Sequence, residues 1–447
     1  MLVLPRCPAA AAILALAVPS GLLAQAVGDR VELKASQHLG VPLHAQAGGG
    51  LTFERVAGRT VATVVELQQS GAWLRVQLED ARSGWISRRY VGRVLAAPEP
   101  TDVTEDEKLV WESPSGCEEI VRAGRRMPRS DASALRVGTW NIRWFPLGCT
   151  AQEDCPENAT NVAWLACAIA WMDLDLLSLN EILDTQAGRA RVADLKNQLR
   201  ARTGVRWASD LSRCGPAAAQ HVGFLWKTSR VRLDRFADVP EMNGAFVPGM
   251  SPDACAENLR PGRYARVRST VAGGVTLNAV SVHFDSGVAN RDYQNRRTAV
   301  ARIASLALRG RPIVELDRDI LVLGDFNTMG RSEPSPVSGT QEIAMLEEEL
   351  APAFRRMLPS LACSEYFQPD PTVERQRAML LDQVAVSSGM QEAATTSRIT
   401  GYCAVRRCAD VTGAMPAAYQ ALSDHCPTVF EVTDRNLDPR ASDGVVP

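Results

Sequence analysis

Polar side chains able to hold a cation or move a proton fall where long apolar runs stop. Ile320 to Leu323 lead into Gly324-Asp325-Phe326-Asn327. Four apolar residues in a row read as a strand buried on both faces. Gly324 lets the backbone turn, Asp325 and Asn327 share a facing, and Phe326 points back into the fold. A carboxylate and an amide at the mouth of a buried sheet are costly unless something uses them. The plainer reading is a turn, which Asp and Asn favour. The same placement recurs at Trp140-Asn141, Asn180-Glu181, Val282-His283 and Ser423-Asp424-His425, while Leu381-Asp382 opens a further run. Each has a plain explanation of its own. Asn141 can cap a turn, His283 can be a satisfied core histidine, and Asp424 can cap the next element.

The elements that must carry these residues alternate between strand-like and helical runs. Strands are expected at Leu135 to Asn141, Leu174 to Leu179 (delivering Asn180 and Glu181), Val222 to Trp226, Thr276 to His283, Ile320 to Leu323, Leu381 to Val386 and Pro427 to Val432. Helices are expected over Asn161 to Met172, Ala187 to Thr203, Asn290 to Leu308 and Gln341 to Leu350, with Asn158 or Asn161 as a cap for the first. This is the pattern of an α/β domain with sheets and covering helices.

The chain has 447 residues, long enough for two or three domains, with 46% hydrophobic and 22% charged residues. A net charge of -2 argues against a globally basic binder but allows a local basic groove. Residues 1–26 read as a signal peptide. Arg6 is the single early charge, Ala9 to Val18 is too short to span a bilayer, and Ala24-Gln25-Ala26 fits a cleavage site before Val27. No other segment approaches transmembrane length. Once Cys7 is removed, an even set of cysteines remains, which suits disulfides in an exported chain. Cys149/Cys155 and Cys403/Cys408 are spaced for short local loops, and Cys167 can be a plain buried hydrophobe.

Residues 27–95 read as all-β, with short alternating runs punctuated by glycine. Gly71-Ala72-Trp73-Leu74-Arg75-Val76, Gly84-Trp85-Ile86 and Tyr90-Val91 resemble the bacterial SH3-like domain. The resemblance implies a small barrel that takes a cell-wall or protein ligand. Trp73 and Trp85 are expected in its core. Residues 96–134, with alternating acidic and basic blocks, are expected to be a flexible or loosely packed linker that Cys117 can pin to a domain. A catalytic domain is then expected over 135–433, followed by a tail at 434–447.

Taken in order, W-N, N-E, V-H, G-D-F-N, L-D and S-D-H resemble the endonuclease/exonuclease/phosphatase superfamily, whose best-known branch is deoxyribonuclease I. The resemblance spans Leu135 to about Thr433. It implies a four-layer α/β/β/α sandwich and a phosphodiesterase that uses Mg²⁺, with Mn²⁺ or Ca²⁺ as alternatives. Phosphodiester cleavage needs a polarised phosphate, an oriented water and stabilisation of developing charge. The resemblance implies Glu181 as the main metal ligand, with Asn141 beside it and Asp424 in support. Asp325 orients or deprotonates water, and Asn327 holds a phosphate oxygen or positions Asp325. His283 and His425 donate to phosphate or relay protons, and Asp382 and Asp424 are the acids available to orient His425. Arg263 matches an arginine that contacts backbone phosphate. The sequence departs from the family pattern at Asn180, before the glutamate, at Gln220, where a carboxylate would partner the first histidine, and at Gln383. The expected activity is a secreted or periplasmic endonuclease acting on nucleic acid. The alternatives are a sphingomyelinase-like phosphoesterase acting on phospholipid head groups or other small phosphoesters, and a non-catalytic binding protein.

Overall fold

The computed structural model describes residues 30–34, 40–57, 60–68, 72–78, 82–95, 103–150, 155–213, 215–247, 260–306, 319–351, 353–368 and 375–437. The expected signal peptide and its cleavage site, Cys214, Cys255 and most of the expected tail lie outside the described residues. The chain divides into two compact units, Met1–Pro98 and Glu99–Pro447.

The first unit is a single antiparallel sheet. Its strand order is Gly49–Val56, Val41–Gln46, Ser83–Ser87, Trp73–Leu78, Val61–Leu67, Arg30–Leu33 and Val91–Leu95. Strand alternation sends Leu74, Val76 and Ile86 into an aliphatic core with Val31, Leu33 and Leu43. Trp73 and Trp85 fall on the other parity. They are half-buried and stand outside that core, which corrects their expected placement. Trp73 instead meets His44 edge-on at 5.3 Å.

Among the described residues the second unit has two large sheets and a small one of Glu365–Phe367, Arg375–Met379 and Val411–Thr412. The first runs Trp207–Leu211, Gln220–Lys227, Leu176–Leu183, Leu135–Phe145, Thr428–Val432, Thr396–Ile399 and Leu358–Pro359. The second runs Val231–Val239, Gly262–Ser269, Thr276–His283, Ile320–Asp325, Asp382–Ser387 and Phe354–Arg356. Leu321, Leu323, Val384 and Val386 of the second sheet pack on Val137, Leu176, Phe224 and Phe430 of the first. Ile320 and Val322 turn the other way, onto helices α5 (Asn290–Leu306) and α6 (Gly339–Leu350). Burial on both faces is thus what the unbroken apolar run at Ile320 encodes. The outer face of the first sheet carries α1 (Glu105–Glu112), α2 (Pro114–Arg122), α3 (Val162–Met172) and α4 (Gln186–Thr203). The expected α/β/β/α layering is therefore observed. Asn161 caps α3 by accepting from the Trp164 backbone N–H.

Residues 103–134 are not a loose linker. Val110, Trp111, Cys117, Ile120 and Val121 recur at helical spacing and are buried in the core under the first sheet. Trp111 packs edge-on against Trp140 and Trp171 at 5.8 and 6.2 Å. Glu107, fully buried on α1, is hydrogen-bonded by Arg398 and Thr400. The exposed charges masked this stripe in the sequence. Four disulfides occur among the described residues. Cys117 bonds Cys167, so Cys167 is more than a buried hydrophobe. Cys149 bonds Cys155. The expected local loop between Cys403 and Cys408 is replaced by Cys403–Cys426 and Cys363–Cys408; Cys403 lies on α7 (Tyr402–Arg406) and Cys408 beyond its end.

Candidate active site

Strand register gathers the polar residues at one end of the two sheets. In the second sheet His283 pairs with Asp325 and Asp325 with Asp382, so three side chains share one face in adjacent strands. In the first sheet Asn141 pairs with Asn180. Polar ties cross between the layers here. Ser178 Oγ donates to Ser281 Oγ at 2.7 Å, and Asn180 Nδ2 donates to the Val282 carbonyl at 2.8 Å. The residue before Glu181 therefore fixes the spacing of the sheets.

Gly324, the last residue but one of its strand, has φ +149°, and a Cβ there would lie 1.9 Å from the Val282 carbonyl oxygen. Asn327 takes the left-handed conformation, φ +50°, which asparagine tolerates. Its backbone N–H donates to Asp325 Oδ1 at 2.8 Å, and its Nδ2 donates to the Phe284 carbonyl at 3.0 Å. Phe326 is fully buried and packs on Phe284 at 4.6 Å. The turn thus aims Asp325 and braces it.

Glu181 holds φ +63°, a conformation that costs energy for a residue with a side chain. Its Oε2 accepts from the Trp144 backbone N–H and its Oε1 from Asn141 Nδ2, both at 3.0 Å. Asn141 Nδ2 also reaches Asp325 Oδ2 at 2.9 Å, bridging the two carboxylates. Asn141 Oδ1 accepts from the Arg143 backbone N–H at 3.1 Å. His283 Nε2 lies 3.4 Å from Asp325 Oδ2 and 3.7 Å from Glu181 Oε1. One ligand atom each from Glu181, His283 and Asp325 fall within 4.8 Å of one another. Burial raises both carboxyl pKa values, and Asp424 adds to the rise at Glu181. Two desolvated acids facing each other across a short gap suit a divalent cation.

The second histidine is set differently. His425 Nδ1 is 2.8 Å from Asp382 Oδ2, whose backbone N–H is in turn held by Ser364 Oγ at 2.9 Å. His425 Nε2 lies 3.7 Å from both Asp325 Oδ2 and Glu365 Oε1. Burial alone would favour the neutral ring, but Asp382, Glu365 and Asp325 outweigh it and push the His425 pKa well above its ordinary value. His283 goes the other way. Burial, then Arg260 and His425, lower its pKa well below the usual range. The two rings are thus pushed in opposite directions, His425 toward its charged form and His283 toward its neutral one.

Several expectations need correction. Arg263 is buried, with Nε 2.7 Å from Asp210 Oδ2 and Nη1 2.8 Å from Asp238 Oδ1, so its charge is spent inside the fold. Asn141 directs its nitrogen, not its oxygen, at the carboxylates. Asp424 lies outside the group of three, and its Oδ1 accepts from Ser423 Oγ at 3.2 Å; Asp382, not Asp424, orients His425. Gln220 does not partner His283. It accepts from Arg260, which also donates to the Phe284 carbonyl at 2.7 Å. Gln383 accepts from Arg356 at 3.2 Å and is buried. Arg268, Arg296 and Arg297 pair with Asp234, Glu342 and Glu349. Arg302 donates to the carbonyls of Glu241, Asn243 and Phe246. Arg260 acts electrostatically on Glu181 and Asp325. One group, Glu365, escaped the sequence reading; it faces His425.

No family model matches the chain, and no curated protein matches it. Solved structures do. A Bacteroides vulgatus protein titled endonuclease/exonuclease/phosphatase is 15% identical, covering 68% of this chain and 99% of that chain, with TM-score 0.43. D. rerio TDP2 complexed with single strand DNA product is 14% identical over 67% of this chain and 98% of its own, with TM-score 0.40. The inositol polyphosphate 5-phosphatase domain of SPsynaptojanin, complexed with inositol (1,4)-bisphosphate and calcium ion, is 12% identical over 67% and 84%, with TM-score 0.41.

Proposed function

We propose that the second unit is an exported, divalent-metal-dependent phosphodiesterase whose substrate is nucleic acid. The observation that carries the reading is the meeting of Glu181, Asp325 and the Asp382–His425 pair at one end of the two sheets. A cation held by Glu181 and Asp325 would polarise a phosphate oxygen when bound. Asp325, braced by Asn327, orients the attacking water and takes its proton. His425, kept charged by Asp382, donates to the phosphate or to the leaving oxygen. Asp424 supports the site from its edge through its charge. Cleavage by water at phosphorus leaves one phosphomonoester and one hydroxyl, so the attacking and leaving oxygens each need a proton partner, and the acid and the histidine supply them.

Among the described residues of this unit, the exposed large apolar side chains are Leu147, Val247, Val271, Val288, Phe367 and Val405, no two of them adjacent in sequence. A lipid-active enzyme would use a clustered apolar hairpin beside the site. The four disulfides support an oxidising destination, secreted or periplasmic. No helix of the described residues is long and apolar enough to cross a membrane. We read the first unit as an SH3-like accessory domain for a cell-wall or protein ligand, on its Trp73 and Trp85 motifs.

The test incubates the protein with plasmid DNA and, separately, with phospholipid vesicles, with Mg²⁺ or Mn²⁺ or with chelator, alongside Glu181→Ala. Metal-dependent nicking that is lost in the variant supports the proposal. Lipid turnover without nicking, or no turnover of either substrate, overturns it.

A further inference from the structure

We propose that His283 Nε2 is an inner ligand of the cation, beside Glu181 and Asp325, and that this nitrogen gives the site a preference for Mn²⁺-class cations over Mg²⁺. The proposal rests on the reading of this cluster as a cation site.

Asn141 is the first reason. Its Oδ1 is taken by the Arg143 backbone N–H at 3.1 Å, which fixes the amide with Nδ2 toward Glu181 Oε1 and Asp325 Oδ2 at 3.0 and 2.9 Å. An amide nitrogen has no lone pair to give a metal; here it acts as a donor that holds two acids together. The amide oxygen expected to share the cation with Glu181 is thus committed elsewhere.

His283 is the second reason. Its Nε2 approaches the same two oxygens, at 3.7 and 3.4 Å. The three ligand atoms lie within 4.8 Å of one another, close enough to converge on one ion. The ring is 2% exposed, and its Nδ1 has no hydrogen-bond partner among the described residues. No bond at Nδ1 therefore locks the tautomer. The ring proton can sit on Nδ1, leaving the Nε2 lone pair directed at the acids; the cost is the Nε2–H that faced them and a buried Nδ1–H, and a cation at Nε2 must offset it.

The ligand set then decides the metal. Two carboxylates balance a divalent charge and suit Mg²⁺, Ca²⁺ and Mn²⁺ alike; an imidazole nitrogen suits Zn²⁺, Fe²⁺ and Ni²⁺ best, and of the three oxygen-bound cations it is Mn²⁺, the transition metal, that tolerates it. Mg²⁺ requires oxygen at near-ideal octahedral geometry and gives up water reluctantly. Mn²⁺ accepts the mixed set.

The test uses no substrate. The metal-free full-length protein is loaded with equimolar Mn²⁺, and electron spin-echo modulation is recorded for nitrogen coupling in the wild type, His283→Gln and His425→Gln. Nitrogen coupling is expected in the wild type and in His425→Gln and is expected to be lost in His283→Gln. Competition between Mn²⁺ and Mg²⁺ should show the preference falling by about tenfold in His283→Gln, the order expected for loss of a nitrogen ligand. A wild type that binds Mn²⁺ without nitrogen coupling, or binds none, overturns the assignment whether or not the variants fold. So does coupling that persists in His283→Gln or vanishes in His425→Gln alone. Metal-dependent hydrolysis without coupling removes this assignment and leaves the proposed function standing. Coupling without hydrolysis of any phosphoester does the reverse.

Discussion

Asp382 Oδ2 and His425 Nδ1 meet at 2.8 Å, although one belongs to the second sheet and the other lies just before the Thr428–Val432 strand of the first. The pair joins the two layers at the point where the other acids converge. Its chemistry is that of a carboxylate fixing an imidazole in one orientation and favouring its protonated form.

Asp382→Asn should therefore lower turnover by about 10²- to 10⁴-fold, the range for loss of an effective acid–base group. The sign of the pH effect follows from the cause. Asp382 favours the charged ring, so its removal lowers the His425 pKa. The high-pH limb of the rate profile should move to lower pH. Steady-state rates across the alkaline range check both points, and an unmoved limb would show that His425 does not act as the acid.

Glu365 gives a stability test. Its Oε2 is buried without a hydrogen-bond partner, and burial raises its pKa well above the ordinary glutamate range despite His425 nearby. The folded state thus binds a proton that the unfolded state releases earlier. Stability from this group is full below the unfolded value and declines as pH rises toward the folded value. Glu365→Gln removes that decline. Melting temperatures at about pH 5 and about pH 8 should show the variant gaining on the wild type at the higher pH. Equal spacing at both would refute it.

Arg263→Ala should behave as a core lesion. The side chain joins Asp210 and Asp238 across three strands and is stacked over Phe236 at 5.5 Å. Removing one partner of a buried ion network costs about 3–5 kcal/mol. Denaturant titration should show that loss, while KM of the remaining folded enzyme stays at the wild-type value. A raised KM with unchanged stability would return Arg263 to the substrate.

Gly324→Ala should be among the most damaging single changes in the unit. The added methyl would strike the Val282 carbonyl oxygen, and the backbone conformation is one that side chains disfavour. A loss of more than about 4 kcal/mol is expected, read as low soluble yield or a large fall in melting temperature. Gly389→Ala, where a Cβ meets nothing within 4 Å, is the control.

The residues whose placement was legible in the sequence are those at the ends of apolar runs. Strand length and alternation carry Glu181, His283 and Asp325 to a common edge, and both properties are local. What was not legible depends on partners far away in the chain. Arg263 has the look of a phosphate contact until Asp210 and Asp238 fold onto it. Glu365 sits on the three-residue strand Glu365–Phe367, too short to signal, and its bridge to His425 joins segments sixty residues apart in order only through the fold. The facing of Asn141 is decided by one backbone N–H at Arg143. The helices α1 and α2 were hidden because their charged faces dominate the composition while a narrow apolar stripe does the packing.

The bridges Cys363–Cys408 and Cys403–Cys426 flank the segments that carry Glu365 and His425. Ser364 accepts the Cys426 N–H through its carbonyl at 2.7 Å, so the two cystines clasp the strand pairing that holds the charged imidazole. With both bridges reduced, that pairing would lose its covalent clasp, and the imidazole would be seated only by its hydrogen bond to Asp382 and its bridge to Glu365.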